Sequence, residues 1–215
     1  MTFQTTWILS LLAYLLGCVL VGLAIPQRDN LVAKSSWTSL LLDNRGRYSL
    51  NRLQVIAWTG LTLATFLAIA IRVGLEQASN IENGLLILTG ISGTSATLAG
   101  AIKDNKNTLS ADQIAGTKGF HESFGVRSEA TKVVAPRFLQ MILEEEGAGA
   151  DKIVNVAKFQ NLILLVTFCI VYVVIVLQPV AEPKYPNFGQ ELAWLSGISY
   201  GSYLGQKVTP KSTKP

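Results

Sequence analysis

Five stretches of this chain contain no Asp, Glu, Lys or Arg, and they restrict its possible folds more than any motif does. Residues 7–25, 53–71, 83–102 and 159–181 are each long enough to cross about 30 Å of hydrocarbon as a helix. Helix is the form to expect there, because lipid offers no partner for a backbone N–H or C=O and each must be satisfied inside its own segment. Only 15% of the 215 residues are charged, against about 25% in an average soluble domain, and those charges are concentrated between the apolar windows. The fifth window, 192–206, is short. It either spans by letting Glu191 and Lys207 snorkel outward or is re-entrant.

Charge placement gives an orientation. With loops assigned alternately to the two sides, residues 26–52, 103–158 and 207–215 hold sixteen of the eighteen Lys and Arg, and the N-terminal tail, 72–82 and 182–191 hold two. The positive-inside rule then predicts the N-terminus outside and the C-terminus and both long loops in the cytoplasm. The first window has no basic segment before it and reads as an uncleaved anchor. The basic pI of about 9.1 is explained by these loops. No clustered Lys/Arg face points to nucleic acid.

A phrase recurs in the third and fifth windows: LTGISGTSATLAG at 88–100 and LSGISYGSYLG at 195–205. Aligned without gaps, the copies share Leu85/Leu192, Leu88/Leu195, Gly90/Gly197, Ile91/Ile198, Ser92/Ser199 and Ser95/Ser202. Upstream, RLQ at 52–54 answers KFQ at 158–160, each preceded by an apolar run and a glycine-containing acidic turn, with Ser49 and Asp151 as expected helix N-caps. The expected architecture is therefore an all-α integral membrane protein of five transmembrane helices, an N-terminal anchor plus two duplicated parallel helical hairpins. Its divisions are 1–37 (anchor and start of the first cytoplasmic loop), 38–103 (repeat 1), 104–137 (cytoplasmic linker), 138–207 (repeat 2) and 208–215 (tail). The combination RYSLxRLQ…W followed by a GIS…LG helix resembles a group of bacterial multipass membrane proteins. The resemblance implies the membrane fold and a bacterial cell-membrane location, and it carries no activity.

The small and hydroxylated residues of the repeated phrase are the candidate functional positions: Gly90, Ser92, Gly93, Ser95 and Thr97 in one copy, Gly197, Ser199, Gly201, Ser202 and Gly205 in the other. Gly189, Ala193, Gly197, Gly201 and Gly205 recur every fourth residue, with Thr89, Gly93 and Thr97 as counterparts, the pattern that lets helix backbones approach in lipid. Such faces suit a packing or assembly component of a membrane complex, within a homo-oligomer or against another subunit. The alternative is a small oligomeric channel for an ion or polar solute, lined by the hydroxyls of the third and fifth helices.

Chemistry has few handholds. Gly197-Ile198-Ser199-Tyr200-Gly201 matches the G-x-S-x-G elbow of serine hydrolases, but that motif needs a strand before the serine and a histidine after it, and the one histidine, His121, comes earlier. No enzyme activity, cofactor or metal site is expected. Neither Glu144-Glu145-Glu146 nor Asp43-Asn44-Arg45-Gly46 alternates oxygen ligands as a calcium loop does. Cys18 and Cys169 read as packed apolar residues without a disulfide. Trp37, Tyr48, Tyr185 and Phe188 are placed as interfacial anchors, and residues 136–143 as a short surface helix presenting Phe138, Leu139, Met141, Ile142 and Leu143.

Overall fold

A computed structural model describes residues 2–24, 38–43, 47–107, 137–144, 152–179 and 182–208, with side chains omitted for 103–107. The helices are α1 (Phe3–Ala24), α2 (Leu50–Arg72), the short α3 (Leu75–Ser79), α4 (Asn83–Asn107), α5 (Val156–Leu177) and α6 (Gly189–Val208), with 3₁₀ turns at Ser39–Leu41 and Phe138–Met141. No strand is formed among the described residues. Trp37, His121, most of the 104–137 linker, Glu145, Glu146, Asp151 and residues 209–215 lie outside the description.

Four helices, α1, α2, α4 over Asn83–Ile102, and α5, are long and apolar enough to cross a membrane. The fifth window does form a 20-residue helix, α6. Its Ser, Gly and Tyr residues, with Glu191 and Lys207 at its ends, leave it outside that group.

The termini follow local chemistry. Ser49, in extended geometry, precedes α2 as expected, although its hydroxyl makes no cap bond. The start of α5 departs from the expectation: Asn155, not Asp151, is its cap, with Oδ1 accepting the Lys158 N–H at 2.9 Å. The segment before it is drawn into an antiparallel bridge at Val154, so the helix starts four residues later than Asp151 would place it. Past Arg72 the chain turns at Gly74, whose φ of 123° suits a residue without Cβ.

Both long hairpins begin alike. A 3₁₀ turn leads to an isolated bridge, Leu42 with Tyr48 in one and Leu143 with Val154 in the other. The residue before each helix then donates its N–H back to the 3₁₀ turn or its end, Ser49 to Leu41 O and Asn155 to Ile142 O, both at 2.8 Å. These two lead-in segments also touch each other. Tyr48 stacks on Phe138 with centroids 4.4 Å apart, and Arg47 donates to Glu144 O.

Helices α2, α4, α6 and α5 contact one another in a closed sequence, α5 returning to α2, and α1 packs outside on α2. Within this ring α4 and α6 run in the same direction and in register, since Gly84 lies against Gly189 and Ile91 against Gly197. The centre is aromatic: Trp58, Phe168, Tyr172 and Phe188 have ring centroids about 6 Å apart, a separation at which edge and offset contacts are favourable.

Phe188 and Tyr185 are therefore not interfacial anchors. Trp58 stands fourteen residues before the end of α2, about 21 Å along the axis, yet Phe188 meets it at 6.1 Å. The lead-in to α6 thus dips into the bundle, with Tyr185, Pro186 and Phe188 buried and Tyr185 donating to Ala78 O at 2.7 Å. The physical reason is that other elements take up these side chains, Phe188 among the rings of Trp58, Phe168 and Tyr172 and Tyr185 against the backbone at Ala78. Tyr48 is half-buried and bonded to Thr38, and of the expected surface helix Phe138 and Leu139 are exposed while Met141 is buried.

Candidate functional site: small-residue faces and polar side chains in the bundle

The small residues of the repeated phrase divide between two environments. Ser92 and Ser95 on α4 and Ser199 on α6 are buried in the ring. Gly90 and Thr97 on α4, and Gly201, Ser202 and Gly205 on α6, are exposed, with Gly93 and Gly197 between the two classes. A Cβ built on Gly90, Gly93, Gly201 or Gly205 would meet no atom of the described chain within 4 Å. On Gly197 it would lie 3.3 Å from Ile91 Cδ1. Of the expected ladder on α6, Gly189, Ala193 and Gly197 lie against the rest of the chain, and a Cβ at Gly201 would meet nothing among the described residues.

The closest approach within the described chain lies outside the repeated phrase. A Cβ on Gly60 of α2 would fall 2.5 Å from the ring of Tyr14, which is pinned across the α1–α2 seam by its hydroxyl donating to Ile56 O at 3.0 Å. A Cβ on Gly84 of α4 would lie 3.2 Å from the Gly189 carbonyl oxygen. Gly60 is visible in the sequence as the lone glycine of an apolar window, but its partner lies in a helix outside the repeat.

The hydroxyls mostly bond within their own helix. Thr89, Ser92, Thr97 and Ser202 donate to the carbonyl four residues back, and Ser95 to that of Ser92. Across the seam Ile91 of α4, next to Ser92, lies against Gly197 of α6, three residues before buried Tyr200. Ser199 differs: it is buried and its Oγ has no partner among the described residues. It sits in the middle of α6, with helix rather than strand before it, so the elbow geometry of G-x-S-x-G is not formed.

One interhelical knot is complete. Trp7 Nε1 donates to Thr65 Oγ1 at 2.9 Å, Thr65 and Tyr172 share a hydrogen bond at 2.7 Å, and both hydroxyls reach Leu61 O. It ties α1, α2 and α5 together with every group satisfied.

Two further positions are polar residues inside apolar windows, a signal that the repeated phrase overshadows. Gln54 of α2 and Asn161 of α5 are buried, and neither end of the Gln54 amide nor Asn161 Oδ1 has a hydrogen-bond partner among the described residues. Half-buried Thr62 has an unpartnered hydroxyl too. At the helix starts the polar groups are engaged: Asn155 bonds Glu144 and Gln206, Lys158 donates to Leu143 O, and Lys207 donates to Tyr203.

Among the described residues no three of His, Cys, Asp and Glu gather as a metal site would require, and Cys18 and Cys169 are free thiols. No protein-family model, curated protein or solved structure matches the chain.

Proposed function

We propose that this protein is a multipass membrane protein acting as a packing or assembly component, with the exposed small-residue face of α6 and its neighbour on α4 as the docking surface for another transmembrane helix. The observation that carries this reading is the open space at Gly90, Gly93 and Gly201: a Cβ there would meet nothing among the described residues. In lipid the hydrophobic effect does not drive helices together, and small residues that let backbones approach are the usual substitute. The face belongs to a homo-oligomer or to a larger complex.

The reading includes five spans, α6 completing the membrane crossing, and two duplicated hairpins. The matching helix starts support the duplication, and the closed order α2, α4, α6, α5 sets the two hairpins side by side, α2 beside α5 and α4 beside α6. The orientation follows from charge, with the N-terminus outside and the basic loops in the cytoplasm of a bacterial cell. No catalytic role is assigned.

Crosslinking and native-size measurement in mild detergent test the proposal, and the expected result is a defined assembly that Gly201→Leu and Gly93→Leu dissociate. A particle of one chain, unchanged by either substitution, would contradict it. The channel reading is favoured by the exposure of Thr97 and Ser202 beside these glycines, where several copies would place hydroxyls around a pore. Ion flux into liposomes containing the purified protein separates the two.

A further inference from the structure

Gln54, Asn161 and Ser199 come from three helices, are 1%, 3% and 4% exposed, and end in polar atoms without a partner among the described residues. Helix register puts them on one level. The Thr65–Tyr172 hydrogen bond joins α2 to α5, and stepping back eleven residues along each helix reaches Gln54 and Asn161. Eleven residues are close to three full turns, so both side chains leave the faces that carry Thr65 and Tyr172, about 16 Å nearer the helix starts. Helix α4 reaches the same level: Asn51 donates to Ser95 O, and one turn onward in α2 and one turn back in the opposed α4 come Gln54 and Ser92. Helix α6 is brought in where Ile91, next to Ser92, lies against Gly197, two residues before Ser199.

The chemistry of the unpartnered atoms defines what fits them. Gln54 Nε2 can only donate, Gln54 Oε1 and Asn161 Oδ1 can only accept, and Ser199 Oγ can do both. A cation would serve the acceptors and leave the amide donor unmet, and an anion the reverse. Neither Asp, Glu, Lys nor Arg stands among these residues to balance an ion, which is costly to hold without a counter-charge inside a bundle. Lys158, three residues before Asn161, commits its ammonium to Leu143 O at 2.8 Å. At the helix starts a cavity of about 70 Å³ is lined by Asp43, Ser49, Asn51, Arg52, Ala96 and Lys207. This is room for at least one water, and Asn51 is one turn from Gln54. In the other direction the Trp58, Phe168 and Phe188 rings close the bundle.

We infer that the level of Gln54, Ser92, Asn161 and Ser199 is a one-ended binding site for a small neutral molecule that both donates and accepts hydrogen bonds, either water or a solute bearing hydroxyl or amide groups. It stands independently of the docking face, because its residues point into the ring.

The test uses Ser199→Cys in a Cys18→Ala, Cys169→Ala background, with the full chain in nanodiscs. The neutral hydroxyethyl methanethiosulfonate should modify Cys at position 199 at least tenfold faster than the anionic sulfonatoethyl reagent, and Gln54→Leu with Asn161→Leu should slow that reaction at least tenfold. Slowing by molar acetamide would identify a solute site, and no slowing a water site. Equal rates for the two reagents, or no modification by either in the folded protein, would overturn the inference. Melting gives a second reading free of thiol chemistry. A dry layer is relieved by losing unpartnered groups, so a raised melting temperature for Gln54→Leu with Asn161→Leu would also overturn it, and a lowered one is expected.

Discussion

At Gly60 an added Cβ would stand 2.5 Å from the Tyr14 ring, whereas at Gly201 and Gly205 it would meet no atom of the described chain within 4 Å. Gly60 sits in an irregular apolar context and is gripped, while Gly201 belongs to a regular four-residue ladder and is open among the described residues. The difference teaches that small-residue spacing identifies a face on which helices can approach and leaves the partner unspecified. At the α1–α2 seam the partner is this chain, held by the Tyr14 bond to Ile56 O and by the Trp7–Thr65–Tyr172 knot. At Gly201, on the outer half of α6, none of the described residues supplies that partner.

The contrast is broken most directly at Gly60. Gly60→Leu should displace Tyr14 and separate α1 from α2, destabilising the protein by about 1 to 3 kcal/mol, the usual range for overpacking, as read by thermal or detergent-driven unfolding. Adding Tyr14→Ala should return part of that loss, because neighbouring substitutions that share one contact are not additive. If Gly60→Leu is as stable as the parent, the seam is not close-packed.

A smaller loss is expected at the knot. Thr65→Val removes the acceptor for Trp7 Nε1 but leaves Tyr172 its bond to Leu61 O, so about 1 kcal/mol should be lost, in line with interhelical hydrogen bonds measured in membranes. Trp7→Phe in the same background should then cost less than Trp7→Phe alone.

The lead-in to α6 adds a pH-dependent contrast. Burial pushes the Tyr185 hydroxyl from its ordinary 10.0 up to about 12, so the folded state holds this proton more tightly than the unfolded state does. Its contribution is complete below pH 10 and is lost as pH rises towards 12. Tyr185→Phe should lose up to about 1 kcal/mol at neutral pH with the bond to Ala78 O and flatten the alkaline fall in stability across that window. A parent protein with no such fall would contradict the burial.

Smallest for the single chain is Gly201→Leu. With no neighbour to strike, it should change unfolding stability by less than about 0.5 kcal/mol, no more than Leu195→Ala, while shifting the docking equilibrium roughly five- to a hundredfold if a partner helix uses the face. A large loss of stability in the monomer would erase the distinction from Gly60.

Helix positions are legible from charge-free windows because every backbone group in an apolar segment must be satisfied locally, and that constraint acts on composition alone. The windows fall on helices α1, α2, α4, α5 and α6, with boundaries shifted by a few residues. Which residues meet is not legible. Gly201 and Gly60 are the same residue type in similar windows, Phe188 and Tyr185 look like anchors, and the amides of Gln54 and Asn161 look like incidental polar residues in apolar runs. Their fates depend on the rotation of each helix about its axis and on the depth at which the 182–188 segment enters the bundle. Those are set by how bulky side chains from four helices and one linker fill a common space, and no local stretch of sequence contains that information. The sequence by itself therefore determined where the chain is helical and apolar, and the tertiary packing decided which small residues touch, which stay open, and which polar groups face one another at the centre.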